Sequence, residues 1–219
     1  MRLYRFWHFL LDLLFPPRCV SCSSDEEWWC AECRSNVERL YTEVTFEDLD
    51  GVCVLGYYHD PILRAAIQAL KFQGMSVLRA SLASFIASRG SVLGQSVPLH
   101  EPIAIQSLPT SPAHRRSRGF DQAELLMELL HDSGIADFYA VDVLERREGS
   151  GMAQARLSDP VLRAANVDGV FTVKRSSVPE AILLVDDVIT SGSTMREAAC
   201  LLRAHGAKRV YGFALALGA

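Results

Sequence analysis

From residue 51 onward, short apolar runs alternate with amphipathic stretches. Val52–Tyr58, Ile103–Leu108, Phe138–Leu144, Ile182–Val185 and Val210–Leu217 read as strands, and the unbroken run Ile182–Val185 predicts a strand buried on both faces. Between them lie helical patterns. Asp60-Pro61 supplies an N-cap and a first-turn proline to a helix with Ile62, Ala66, Ala69 and Leu70 on one face, closed by Lys71-Phe72-Gln73-Gly74. A second helix carries Leu78, Leu82 and Phe85 and stops at Gly90. In a third, Asp121 and Glu124 are spaced like a capping box, Ala123, Leu126, Met127 and Leu130 share a face, and Gly134 is the stop. The last presents Met195, Ala198, Ala199 and Leu202 and ends at Gly206. Strand alternating with helix predicts an α/β fold, a parallel sheet flanked by helices with right-handed crossovers.

Ahead of residue 51 the pattern changes. Met1–Phe15 is apolar with Arg2 and Arg5 at its front, but His8 and Asp12 interrupt it and no small-residue cleavage site follows. It predicts a short amphipathic helix that can touch a membrane or partner and is too short to span a bilayer. Leu40–Asp50 is acidic, without period, and reads as a linker. The expected organisation is therefore an N-terminal helix and cysteine-rich ribbon over residues 1–45 and an α/β domain over residues 51–219. A length of 219 residues with 49% hydrophobic and 22% charged suits one such domain plus a small appendage. The net charge of −4 excludes coating of nucleic acid by bulk electrostatics and leaves room for a local basic patch.

Cysteine spacing adds chemistry. Cys19-Val-Ser-Cys22 and Cys30-Ala-Glu-Cys33 are two Cys-x-x-Cys knuckles, which can set four thiolates around one structural Zn²⁺. Disulfides or redox pairs are the alternative, and the lack of a secretory signal argues for a reducing compartment. Trp28 and Trp29 beside the knuckles are expected to pack over the metal or to stack on a base or peptide. Cys53 and Cys200 stand in apolar surroundings and are expected in the core.

After the strand Ile182–Val185 come Asp186 and Asp187, then the small hydroxyl-rich turn Thr190-Ser191-Gly192-Ser193-Thr194 and a helix. Ligands of open parallel sheets bind beyond the carboxyl ends of strands. A turn of small residues at a helix N-terminus offers backbone N–H groups to an anion, and Gly192 permits close approach. Two carboxylates beside it need donors, namely sugar hydroxyls or a hydrated Mg²⁺. The combination asks for a sugar phosphate. A plain helix cap needs only one such residue, and no Gly-Lys-Ser/Thr follows that would make a Walker loop.

Ile182–Thr194 resembles the phosphoribosyl-pyrophosphate (PRPP) motif of type I phosphoribosyltransferases. The resemblance implies that Asp186 and Asp187 hold the ribose hydroxyls and Thr190, Ser191, Gly192, Ser193 and Thr194 the 5′-phosphate, with Mg²⁺ accompanying PRPP. A second chemical stretch follows Ile103–Leu108: His114, Arg115, Arg116 and Arg118 concentrate positive charge whose guanidinium forks suit phosphate oxygens. These arginines are expected to meet pyrophosphate or nucleic acid, and Lys71 either complements its helix dipole or reaches the pyrophosphate. Leu108-Pro109 and Arg118-Gly119-Phe120-Asp121-Gln122-Ala123-Glu124-Leu125 resemble the signature of the ComF family, phosphoribosyltransferase-like proteins with an N-terminal zinc ribbon. Asp121 stands where that family usually has Asn, and a carboxylate there is expected to weaken any anion contact by that side chain.

Arg146–Arg156 reads as a mobile loop corresponding to the hood of type I phosphoribosyltransferases. Gln154, Leu157-Ser158, Arg163 and Asn166-Val167 resemble the family pattern, while its usual Thr before the Gln is not clearly present. The ComF resemblance implies a PRPP-binding protein that acts in single-stranded DNA uptake during natural transformation. An active phosphoribosyltransferase of unknown acceptor, in nucleotide metabolism, is the alternative; a third is an adaptor docking a helicase or membrane channel. The expected location is the cytoplasm, at the inner face of the membrane where uptake machinery is met.

Overall fold

A computed structural model describes residues 16–25, 27–40, 44–72, 75–110, 121–147 and 169–218. The elements, in chain order, are α1 (Ala31–Asn36), β1 (Gly51–Val54), α2 (Pro61–Phe72), α3 (Met75–Ser88), α4 (Gly90–Ser96), β2 (Ile103–Ser107), α5 (Gln122–Asp132), β3 (Phe138–Ala140), β4 (Leu144–Arg146), β5 (Phe171–Val173), β6 (Ala181–Ile189), α6 (Ser193–Ala204) and β7 (Arg209–Leu217). Five strands form a sheet in the order β1-β7-β6-β2-β3, every neighbouring pair parallel. The chain builds outward from β2 to β3 on one side and from β6 to β7 on the other. The direction of winding therefore reverses between β6 and β2, and beyond the carboxyl ends of these two strands lies the crevice such sheets use for ligands.

The apolar runs are buried for the reason their pattern predicts. Ile182 and Leu184 pack on the face covered by α6, Leu183 and Val185 on the face covered by α2, α3 and α5, and all four are fully buried. Asp60 caps α2 as expected, its Oδ1 accepting from the N–H of Ile62 at 2.7 Å and of Leu63 at 3.1 Å. Its other oxygen accepts from the N–H of Glu38 at 2.7 Å, tying the end of the ribbon to the first helix of the sheet domain. Cys19, Trp29, Cys33 and Val37 share one hydrophobic cluster with α2, α3 and the sheet.

Four sequence expectations are corrected. Gly90 does not end the second helical region but opens α4; the break falls at Arg89, which is buried at 4% exposure. Its guanidinium turns inward over the Phe85 ring, donating to Leu55 O at 2.9 Å and Val37 O at 2.8 Å. The single strand expected over Phe138–Leu144 is two. β3 closes the sheet edge, the Oε1 of buried Gln106 accepts from the N–H of Val143 at 2.7 Å and Leu144 at 3.3 Å, and β4 leaves to pair antiparallel with β5. Cys200 is exposed, since the buried stripe Met195, Ala198, Ala199, Leu202 faces the other way; Cys53 is buried as expected. The acidic segment before β1 is docked rather than loose. Val44 bridges to Val52, Arg196 pairs with Glu47 at 2.7 Å, and Arg203 pairs with Asp50 at 2.5 Å. No helix among the described residues is long and apolar enough to cross a membrane.

Candidate functional site

The sheet is cut in steps at its carboxyl end. β2 finishes at Ser107, opposite Val185, and the last link on that side is the N–H of Leu108 donating to Val185 O at 2.9 Å. β6 runs on with β7 alone as far as Ile189 and Leu217. Asp186 and Asp187 thus lie within the strand rather than past its end, at the point where its β2 edge opens onto the crevice.

The two acids have different surroundings. Asp187 Oδ2 is 3.0 Å from Lys71 Nζ, both side chains about one-fifth exposed at 19% and 22%, so the last turn of α2 delivers its lysine to the site. Asp186 has no cation at that range among the described residues, and its Oδ1 accepts from the N–H of Asp187 at 2.8 Å. Burial first, then the adjacent Asp187 charge, pushes its carboxyl up to about 8. Two acids held together, one at a cost to its ionised form, are a donor set that fits a divalent cation or its water shell.

Next to them the chain turns. Gly192 lies at φ +71°, in the left-handed region, and no side chain caps α6. Thr190, Ser191, Ser193 and Thr194 are exposed. Ser191 Oγ donates to Ser193 Oγ at 3.0 Å and accepts from the N–H of Ser193 at 3.4 Å. A ring of hydroxyls thus surrounds the positive end of a 12-residue helix dipole. Behind the turn lies Phe46: a Cβ on residue 192 would meet its Cδ1 at 2.5 Å. The docked acidic segment therefore holds an aromatic ring against the glycine.

Across the crevice, Asp121 is buried at 3% exposure. Its Oδ2 accepts from Thr110 Oγ1 at 2.8 Å and its Oδ1 from the N–H of Ala123 at 3.0 Å, capping α5. It thereby ties Thr110 to the start of α5. Arg115, Arg116 and Arg118 lie outside the described residues, as do Gln154, Arg163 and Asn166. Beside Asp121 opens a cavity of about 360 Å³, lined among others by Gln106, Ser107, Thr110, Asp142 and Lys174.

In the ribbon, one sulfur from each of Cys19, Cys22, Cys30 and Cys33 lies within 4.8 Å of the other three, and Cys22 and Cys30 Sγ are 3.7 Å apart. Tetrahedral zinc with Zn–S near 2.3 Å requires sulfurs about 3.8 Å apart, so the residues fit the ion. Burial and the neighbouring thiols push Cys33 up to about 12. Burial opposes ionisation of Cys19 too, but N–H groups of Cys22, Cys30 and Ser21 prevail and bring it down to about 6. Trp29 is fully buried against Phe85, ring centroids 4.9 Å apart, and unavailable for stacking on a base. Chelating the metal from the intact chain is expected to undock this ribbon, and tryptophan emission should shift to the red as Trp29 meets water. An unchanged spectrum after metal loss, measured by atomic absorption, would show that the ribbon stands without zinc.

Residues 144–217, which contain β6, the turn and β7, match the phosphoribosyl transferase domain family. Over 211 residues the chain is 26% identical to Competence protein ComFC of Streptococcus pneumoniae, covering 88% of this chain and 89% of that protein. It is 29% identical over 203 residues to Competence protein F of Haemophilus influenzae, 91% and 84% covered. It is 30% identical over 154 residues to DNA utilization protein YhgH of Salmonella typhimurium, 69% and 66% covered. The chain belongs to the ComF family.

Within this ComF chain, the structure brings together Asp186, Asp187 and Lys71, sets Thr190–Thr194 immediately after them, and gathers the four cysteines in the ribbon. Sequence reasoning missed Phe46 and Gln106. The signal for Phe46 was faint: a lone aromatic in an acidic, aperiodic stretch. Gln106 left none beyond a polar residue inside an apolar strand.

Proposed function

We propose that this ComF-family chain binds PRPP with Mg²⁺ in the crevice between β6 and β2 and serves in handling incoming single-stranded DNA during natural transformation. One observation carries the binding half: paired carboxylates at the open edge of β6, followed at once by an uncapped helix N-terminus ringed with hydroxyls. In this reading Asp186 and Asp187 hold the ribose hydroxyls or the water shell of Mg²⁺. Thr190, Ser191, Gly192, Ser193 and Thr194 hold the 5′-phosphate, and Lys71, Arg115, Arg116 and Arg118 face the pyrophosphate. Bound Mg²⁺ supplies counter-charge to pyrophosphate oxygens. Lys71 exchanges its carboxylate partner for phosphate oxygens as the ligand enters, which leaves Asp187 free for the sugar. The DNA half rests on the relatives' names, Competence protein ComFC and Competence protein F. It implies a cytoplasmic protein meeting a helicase or channel at the inner face of the membrane, with residues 1–45 as helix and zinc ribbon and 51–219 as the PRPP-binding domain.

Titration calorimetry with PRPP and Mg²⁺ tests the pocket. Heat is expected from the unaltered chain and none from Asp186→Ala with Asp187→Ala; equal heats from both would sink the assignment. The cavity of about 360 Å³ beside Asp121 supports a second reading, an active phosphoribosyltransferase that seats an acceptor there. Pyrophosphate release from PRPP in the presence of an acceptor, absent without it, is the result that reading requires.

A further inference from the structure

An acidic stretch is an odd neighbour for an anion site, yet residues 44–50, which carry Glu47, Asp48 and Asp50, reach the turn at Gly192. Each of those acids is answered by a cation. Glu47 Oε2 lies 2.7 Å and Asp48 Oδ2 3.5 Å from Arg196, and Asp50 Oδ2 lies 2.5 Å from Arg203. Both arginines belong to α6, the helix whose N-terminus forms the turn, so the acids are spent on its flank. What the stretch brings against the glycine is an aromatic ring. Phe46 Cδ1, Cε1 and Cγ lie 2.5, 2.6 and 3.0 Å from the position a Cβ would take on residue 192.

The ring is fastened on both sides along the chain. Two residues before it, Val44 bridges to Val52 of β1. Just after it, Glu47 O accepts from Arg196 Nε at 3.2 Å, and Phe46 O accepts from the N–H of Leu49 at 3.3 Å, which closes a turn. Asp50 then meets β7 twice, its N–H donating to Val210 O at 2.8 Å and its Oδ2 accepting from the N–H of Val210 at 2.7 Å. The ring itself packs against the buried cluster under α6 that contains Met195, Ala198 and Ala199. A glycine N-cap has no side chain with which to anchor itself, and its backbone has wide freedom. Phe46 fills the place of the missing Cβ and so limits that freedom without opposing the φ of +71°. Donors aimed before an anion arrives bind it more tightly than donors the anion must order.

We propose that Phe46 is a positioning residue for the 5′-phosphate: its ring sets Gly192, and through it the first N–H groups of α6, in the orientation that receives phosphate oxygens. The inference rests on the sugar-phosphate reading above and adds to that site a residue from the stretch before β1, far from the turn in sequence. The ion pairs of Glu47 and Asp48 with Arg196 hold the ring where it acts.

The test titrates the full zinc-loaded chain in a calorimeter with two probes: ribose 5-phosphate, which takes the turn, and pyrophosphate with Mg²⁺, which takes the lysine side of the site. Phe46→Ala is expected to weaken ribose 5-phosphate roughly tenfold, the worth of one N–H contact to a charged group, and to leave pyrophosphate unchanged. Phe46→Leu refills most of the space and should restore most of the affinity. Glu47→Ala releases the ring while removing a negative charge from the neighbourhood of an anion site. Electrostatics alone predicts tighter ribose 5-phosphate for that variant; the positioning role predicts weaker binding, by roughly two- to threefold. Undiminished ribose 5-phosphate affinity in a folded Phe46→Ala overturns the positioning role while sparing the sugar-phosphate reading. Equal weakening of both probes overturns it as well, by assigning the ring to stability alone. If Phe46→Ala does not fold, Glu47→Ala decides by sign: weaker binding supports the role, and tighter or unchanged binding overturns it. An unaltered chain that draws no heat from ribose 5-phosphate overturns the reading of the turn and this inference with it.

Discussion

Asp186→Asn is expected to make this protein more stable and unable to bind Mg²⁺ with PRPP. The carboxyl is pushed up to about 8 by burial and by the neighbouring Asp187. Its unfolded value is near 3.9. Between those two values the folded chain retains a proton that the unfolded chain has lost, so this group's contribution to stability falls as pH rises from about 4 to about 8. Each pH unit in that window costs the fold at most about 1.4 kcal/mol. Asparagine has the same shape and pays no such cost. The gain in thermal midpoint should therefore be a few degrees at pH 5, about ten degrees or more at pH 8, and constant above that, at about 2–4 °C per kcal/mol for a chain of this length. Differential scanning calorimetry at both pH values reads the difference. A midpoint that falls equally at both would mean that Asp186 is a structural residue and not a strained site group.

Gly192→Ala is the second large effect, and it acts through two independent causes. At φ +71° any side chain is strained by about 1–2 kcal/mol, and the added Cβ would meet the Phe46 ring at 2.5 Å. The turn must shift, and the first N–H groups of α6 shift with it. Losing two N–H contacts to a charged phosphate, of which each is worth about 1.5–3 kcal/mol, lowers affinity for ribose 5-phosphate by roughly 100-fold or more. The double variant Gly192→Ala with Phe46→Ala should recover the steric part and not the backbone part. Recovery of full affinity in the double variant would show that the positive φ is not needed for binding.

These two residues also mark what the sequence could and could not disclose. The unbroken run Ile182–Val185, the two acids and the hydroxyl-rich turn are contiguous, so β6 and its loop were legible as one local pattern. The two cysteine knuckles were legible for the same reason. Phe46 against Gly192 and Lys71 against Asp187 join residues far apart in the chain, and no periodicity records which lysine a parallel sheet will carry to a strand end. Arg89 misled in the opposite direction. Gly90 reads as a helix stop, but the break is made by a buried guanidinium that serves the ribbon, and the chain resumes as helix at once. Gln106 replaced ladder bonds with a side chain, cutting a continuous apolar run into two strands of different sheets.

A crystal structure of the full chain grown with Mg²⁺ and PRPP tests the central claim most directly. The 5′-phosphate should lie against the N–H groups of Ser193 and Thr194, with the ribose hydroxyls or a hydrated Mg²⁺ at Asp186 and Asp187 and Lys71 turned from Asp187 toward pyrophosphate. Density for the ligand elsewhere, with the Lys71–Asp187 pair intact and the turn at Gly192 empty, would contradict the account.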